Sequence, residues 1–333
     1  MTNKEIIEKT LIEISKDSDW ETRYAKYAKD ILKHEAYHKE LINKVRIKFP
    51  LSKYTSITKF RGKKVETDIR YLGQSIGSLF FEPDRNPYFK KSKSGYNDLV
   101  KRYPDIPKLQ DEEEWNGRNM NRFRSFLSHI DVADAEIHSP EHKCENLLLR
   151  EFHQTDSKKK SLLHIQPITF GGEFVQLTTN LSASKKGVVS FSRKGGGIDI
   201  MARSRHKDNS VYLGVFELKD QNKSDEPMSV VIQQALSYAV FIAKLLDSKG
   251  GSDWMKIFGF KKIPHTIDVV GLIPKGEETI IEEEFQIGSF TLQTRTLYFD
   301  KDALFKRERF EFSGSFKDLL MNSKSDILTA VGV

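Results

Sequence analysis

An α/β fold with a helix-rich N-terminal region is predicted by three observations. Apolar residues recur three or four positions apart through the first fifty residues, as in Ile7, Leu11 and Ile14. The second half instead alternates short β-branched runs with one long apolar helix. The 333 residues are 38% hydrophobic and 11% aromatic, enough for a sizeable core and too much for global disorder.

The helical period covers Glu5 to about Lys48. From Phe49 to Phe81 the texture changes to strand-like runs such as YTSITKF and KVETDIRYL. Residues 82–117 are rich in proline and charge and read as a loop-rich connector, with one short helix around Asn97 to Tyr103. A boundary near residue 136 divides a mixed N-terminal region, 1–135, from an α/β domain, 136–333. Ser139-Pro140-Glu141 opens a helix to about Phe152, because serine caps a helix start well and proline suits the first turn. Strands are expected at Leu162–Ile168, Phe174–Thr178, Gly187–Ser192, Gly197–Arg203, Tyr212–Leu218 and Thr266–Ile273. A buried helix follows the fifth of these, from Met228 to Leu246. The end of the chain, FTLQTRTLYFD and LFKRERFEF, reads as an edge strand and amphipathic pieces.

Composition narrows the classes of function only modestly. Lys and Arg exceed Asp and Glu by 54 to 47, a net charge of +7, which suits a polyanionic partner without singling one out. The one cysteine, Cys144, leaves no intramolecular disulfide to form and fits a reducing compartment. The start, MTNKEIIEKTLIEISKD, is too charged for a signal peptide. The long apolar stretch carries Gln233, Gln234 and Lys244, so no membrane association and a cytoplasmic location are expected.

The chemistry concentrates in GGGIDIMARSRHKDNSVYLGVFELKDQ. Asp199 sits between Ile198 and Ile200, and eighteen positions on Glu217 and Lys219 flank Leu218 at the end of an apolar strand. The side-chain period of two puts Glu217 and Lys219 on one face. If the two strands form a hairpin, Asp199 lies beside them, and two carboxylates and an ammonium converge. Crowded carboxylates raise one another's pKa unless a cation joins them, and Mg²⁺ favours such oxygen donors together with substrate phosphate oxygens. Gly195–Gly197 would let a phosphate approach the backbone closely. In the next helix Gln234 and Tyr238 stand one turn apart in an otherwise apolar run, and both require polar partners.

In this order (helix, strand with Asp, apolar strand ending in E-x-K, helix with Q-x-x-x-Y) the chain resembles the PD-(D/E)XK nuclease superfamily over about residues 139–275. The resemblance implies a restriction-endonuclease-like mixed central sheet flanked by helices. It implies metal binding by Asp199, Glu217 and the Leu218 carbonyl, with Lys219 positioning the attacking water and Gln234 and Tyr238 in support. Mg²⁺ is the expected cofactor, with Mn²⁺ able to substitute. The family also often places a glutamate on the first core helix. Glu141, Glu145 and Glu151 compete, and Glu145 is favoured because it shares a face with Leu148, Leu149 and Phe152. The implied activity is a metal-dependent DNA endonuclease in bacterial restriction, phage defence or repair, for which a homodimer is one expected assembly. Ile198 stands where the family motif often has proline.

Other matches carry less. Pro83-Asp84 and Pro104-Asp105 lack a following E-x-K on an apolar strand, and Glu141-His142-Lys143 lacks an upstream strand aspartate. His34-Glu35-Ala36-Tyr37-His38 is a literal H-E-x-x-H, with Glu66 or Asp68 as conceivable third zinc ligands. Its charged surroundings predict a solvated helix with two ordinary histidines rather than a zinc peptidase. The basic segment Lys44 to Lys64, with Phe49, Tyr54 and Phe60 interleaved, predicts nucleic-acid contacts at Lys59, Arg61, Lys63 and Lys64. Two alternatives remain: a nucleic-acid-binding protein with a dormant nuclease fold and, ranked below it, a zinc peptidase using His34, Glu35 and His38.

Overall fold

Three helices rather than one continuous run occupy the start of the chain: α1 (Asn3–Ser15), α2 (Trp20–Lys33) and α3 (Glu35–Lys44). The computed structural model describes residues 1–58, 64–82, 84–153, 162–184, 188–193, 195–220, 226–308 and 311–321. Thr2 and Glu5 close a capping box on α1. The break before α2 falls where Asp17 is buried and bound by Arg23 and by Asn180 Nδ2 at 3.0 Å. Next come β1 (Leu51–Ser56), β2 (Val65–Tyr71), β3 (Gln74–Glu82), β4 (Arg85–Lys91), α4 (Lys93–Arg102), β5 (Glu112–Glu114), α5 (Arg118–Ser128) and α6 (Pro140–Phe152). The expected connector at 82–117 is therefore corrected: it holds β4, β5 and the whole of α4, which overlaps the short helix expected around Asn97 to Tyr103 and starts earlier. Tyr88 and Phe89 turn inward there, and burial of those rings outweighs the flanking prolines and charges.

The remainder is β6 (Ile165–Pro167), β7 (Thr169–Phe170), β8 (Glu173–Gln176), β9 (Leu181–Ser184), β10 (Val188–Phe191), β11 (Ile200–Arg205) and β12 (Val211–Leu218). After these come α7 (Met228–Asp247), α8 (Gly251–Ile257), β13 (Thr266–Pro274), β14 (Glu284–Ile287), β15 (Phe290–Phe299), α9 (Lys301–Lys306) and α10 (Ser315–Leu319). Among the described residues the strands form a seven-stranded sheet, ordered β5-β4-β3-β2-β1-β8-β7, a six-stranded sheet, β14-β15-β13-β12-β11-β6, and the β9–β10 hairpin. Both large sheets are mixed. In the six-stranded one β12, β13 and β15 run parallel, while β11 pairs antiparallel with β12. The molecule is thus mixed α/β, with mixed sheets flanked by helices.

Two segments cross the boundary near residue 136. Strands β7 and β8 complete the N-terminal sheet, with β8 parallel to β1. Conversely, α1 packs on α7 and α2 on α8, beside the C-terminal sheet. There Tyr24 meets Phe241 with ring centroids 5.0 Å apart and accepts at its carbonyl the indole N–H of Trp254, 3.2 Å. The α7 helix is long and apolar enough to cross a membrane by length and composition, but 78% of its most apolar window is buried here. Each large apolar side chain so buried contributes roughly 1.5–3 kcal/mol.

The seven-stranded sheet also touches α6. At the β2–β3 turn Gly73 has φ +85°, and a Cβ there would lie 2.1 Å from the His142 carbonyl oxygen. Only glycine permits that approach. Asn146 on α6 then donates to Ser52 Oγ at 2.5 Å and to Tyr54 Oη at 3.2 Å on β1.

Candidate active site

Pairing of Ile200 with Phe216 and of Arg205 with Val211 sets Asp199 beside the carboxyl end of β12. The C-terminal ends of parallel strands are where open α/β sheets place their sites, because the helices leave a crevice there. Asp199 Oδ2 accepts the Leu218 N–H at 2.8 Å. Lys219 continues the ladder, its N–H donating to Leu272 O at 3.1 Å, and its Nζ turns back to Glu217 Oε1 at 2.6 Å and Leu218 O at 2.9 Å. The structure therefore brings Asp199, Glu217 and Lys219 together. Glu217 is buried, and its second oxygen, Oε2, has no hydrogen-bond partner among the described residues.

Helix α6 supplies two more carboxyls. Glu141 Oε2 lies 3.9 Å from Lys219 Nζ. Glu145, one turn on, lines a small cavity with Asp199, Tyr54 and Gln176. Glu141, which the sequence reading passed over, is thus the one that approaches Lys219, whereas Glu151 lies ten residues further along the helix, near its other end. Burial holds all four carboxyls above their ordinary range. It raises Glu141 to about 7 against the pull of Lys219, and Glu145 to about 8 against the pull of Arg70. Burial and then Asp199 push Glu217 well up; burial also raises Asp199, with Lys219 and the Leu218 N–H opposing. Burial works against the Lys219 charge, but Glu217, Asp199 and Glu141 together leave its pKa raised. At neutral pH a cation is held among crowded acids, an arrangement characteristic of functional sites.

The Gln234–Tyr238 pair divides. Tyr238 faces the carboxylates: burial, then Glu217 and Asp199, raise its pKa, and the Ala183 N–H donates to its oxygen. Gln234 Nε2 instead donates to Glu226 Oε2 at 2.9 Å, both residues being buried. Sequence reasoning missed Glu226, which sits just before α7, and Arg70, whose guanidinium stacks 4.0 Å from the Tyr54 ring centroid and donates to Gln176 Oε1 at 2.6 Å. No local pattern marks either residue: Arg70 reaches the site through the meeting of the two sheets, and Glu226 lies in the connection between β12 and α7.

The glycine run serves internal packing more than expected. Gly195 has φ +59°, and a Cβ there would lie 1.6 Å from Thr179 O; one on Gly196 would lie 2.3 Å from Tyr238 Oη. Only Gly197 has room, with Gln176 3.6 Å away.

Two carboxylates and a backbone carbonyl are hard oxygen donors that suit Mg²⁺, and the unpartnered Glu217 Oε2 is a buried valence for a cation. Lys219 at present covers Glu217 Oε1 and Leu218 O. Among the described residues no three His, Cys, Asp or Glu side chains are grouped to hold a metal ion.

The other candidates fare differently. Both histidines of the H-E-x-x-H segment are buried, which corrects the expected solvated helix. His34 sits at the α2–α3 junction with Nδ1 2.5 Å from Asp30 O. His38 packs edge-on against Phe170 and lies 3.5 Å from Glu173 Oε1. Asp68 is bound by Arg70 and Ser75, and Glu66 by Ser78, so neither proposed third ligand faces the histidines as an open donor. Lys59, Arg61 and Lys63 lie outside the described residues. Lys64 donates to Tyr88 Oη at 2.9 Å and lies 3.3 Å from Glu82. Tyr54 is buried and cannot stack on a base. Comparisons of the chain with models of protein families, with curated proteins and with solved structures each find no match.

Proposed function

We propose that the protein is a divalent-metal-dependent nuclease of the PD-(D/E)XK kind, hydrolysing phosphodiester bonds in DNA. The observation that carries the reading is the meeting of Asp199, Glu217 and Lys219 at the carboxyl end of β12, ringed by the carboxyls of α6. Asp199, Glu217 and the Leu218 carbonyl would hold Mg²⁺, which when bound acts as a Lewis acid and lowers the pKa of water. Lys219 orients the attacking water and offsets negative charge growing on the phosphate oxygens. Tyr238 and the Gln234–Glu226 pair fix the walls from α7. A restriction-endonuclease-like core, a cytoplasmic setting and a role in restriction, phage defence or repair accompany this reading.

A dormant, DNA-binding fold is the second reading. The Lys219 ammonium already neutralises the oxygens a metal would need, which favours it. Incubation with supercoiled plasmid, linear DNA and RNA in Mg²⁺, Mn²⁺ or EDTA separates the two. The nuclease reading expects metal-dependent cutting of at least one substrate; intact substrates in every metal condition would overturn it.

A further inference from the structure

The surface around α5 has a property not found in the other long helices. The sequence RNMNRFRSFLS contains no acidic residue, whereas α1 to α4, α6 and α7 each carry at least one. Its apolar side is committed to the interior: Met120, Phe123 and Leu127 are fully buried. The opposite side exposes Arg118, Asn119, Asn121, Arg122, Ser125 and Ser128. Arg118, Arg122 and Ser125 follow the helical repeat and share one stripe. The two arginines stand about 6 Å apart along the axis, and neither makes an ion pair with any described residue.

A second acid-free tract lies against this helix. At the end of α3 the chain leaves the helix, extended at Val45, with Val45 and Ile47 turned toward the core and Lys44, Arg46 and Lys48 exposed. Arg124 joins the two: its guanidinium stacks 4.5 Å from the Trp115 ring centroid, bonds Asn121 and donates to the Arg46 carbonyl at 3.3 Å. The acids of β5, beside α5, have partners of their own. Glu112 pairs with Arg85 and Lys90, and Glu114 accepts from Asn86. Glu113 accepts from the Gln110 N–H and, at 3.4 Å, from Asn119 Nδ2.

We infer that α5 together with residues 44–48 forms a docking surface for duplex DNA, with Arg46, Lys48, Arg118 and Arg122 on its phosphates. The inference rests on the nuclease reading for its choice of partner and on charge complementarity for its place. Uncommitted guanidiniums beside amides and hydroxyls suit phosphate oxygens and groove edges. A membrane surface would require exposed apolar residues on the same helix, and those of α5 are buried or, for Phe126, half-buried against the core. In the seven-stranded sheet β5, beside α5, is four strands from β1, where Tyr54 borders the acidic site. At about 4.8 Å per strand that is roughly 19 Å, well within one turn of a duplex. That separation is short enough for one DNA segment to reach both the docking surface and the site.

The test is binding of the full chain to a 20-base-pair duplex in EDTA, by fluorescence anisotropy across a KCl series. Arg118→Ala/Arg122→Ala is expected to weaken binding at least about 10-fold and to reduce the log–log salt slope by about 2. Arg118→Glu/Arg122→Glu is expected to weaken it further, and Lys261→Ala/Lys262→Ala, in the loop between α8 and β13, to leave it unchanged. Unaltered affinity and slope in the double-alanine protein would overturn the inference. So would tighter binding to phosphatidylglycerol vesicles or to a polyglutamate peptide than to the duplex. Hydrolysis of bis(p-nitrophenyl) phosphate in Mn²⁺ needs only the acidic site and is expected to be unchanged in Arg118→Ala/Arg122→Ala. A failed active-site reading therefore shows in that assay, and a failed docking surface in the binding assay.

Discussion

The two ends of the six-stranded sheet both bury carboxylates, and they treat them in opposite ways. At one end Asp268 on β13 is fully buried, and one of its oxygens meets Ser204 Oγ at 2.8 Å and His206 Nε2 at 2.9 Å. One acid is answered by two donors, and the ring of Tyr212 packs edge-on against the histidine at 4.3 Å. At the other end Asp199, Glu217, Glu141 and Glu145 crowd around Lys219. Among the described residues one carboxylate oxygen lacks a hydrogen-bond partner at each end, Asp268 Oδ1 and Glu217 Oε2, so the ends differ in the crowding of acids. The first arrangement ties β11 to β13. The second costs stability, because each buried acid raises the next. A buried Asp with His and Ser is thus a poor sign of chemistry by itself, whereas crowded, under-neutralised acids are a good one.

The sharpest way to break this comparison is Lys219→Met. On the proposed reading it lowers metal-dependent DNA cleavage by at least about 1000-fold, while freeing Glu217 and Leu218 for Mg²⁺. Titration calorimetry is expected to show Mg²⁺ affinity equal to or above that of the unaltered protein. At the other end, Asp268→Ala strands Ser204 and His206 in the interior. A loss of about 2–4 kcal/mol in urea unfolding is expected, with cleavage retained below the melting transition.

The acids of α6 give a pH signature. Their folded-state pKa values, about 7 for Glu141 and about 8 for Glu145, lie above the ordinary 4.5. The stability they lend is complete below pH 4.5 and is lost as pH rises through the folded values. Metal-free protein is therefore expected to be less stable at pH 8.5 than at pH 5.5. Glu145→Gln should remove a part on the order of a few kcal/mol, read from denaturation midpoints at the two pH values. The smallest effect is expected from Gly196→Ala, whose methyl group must displace the Tyr238 hydroxyl. A stability loss of about 1–3 kcal/mol should come with a fall in cleavage smaller than that of Lys219→Met.

How much of this could be read in the chain follows from how local each signal is. The period of two in YLGVFEL and the E-x-K at its end are local, and β12 with its convergent Glu217 and Lys219 stood out from them. The long α7 was equally plain, as its apolar run tolerates no other element. Asp268 and His206 are sixty-two residues apart and meet only through the parallel register of β12 with β13, so nothing nearby announces them. Arg70 and Gln176 reach the acidic cavity because β8 crosses to the N-terminal sheet, a topological event without a motif. The burial of His34 and His38 was hidden for the same reason. The charges around them are local, but Phe170 and Glu173, which cover His38, come from 132 and 135 positions further along.

The central claim concerns the acid-rich end of the sheet, and cleavage of supercoiled plasmid in Mg²⁺ tests it most directly. The proteins to compare are the unaltered chain, Asp199→Asn, Glu217→Gln and, as a control from the opposite end, Asp268→Asn, each verified as folded by circular dichroism. The account predicts that Asp199→Asn and Glu217→Gln lose cleavage while Asp268→Asn keeps it. Full cleavage by Glu217→Gln would contradict it.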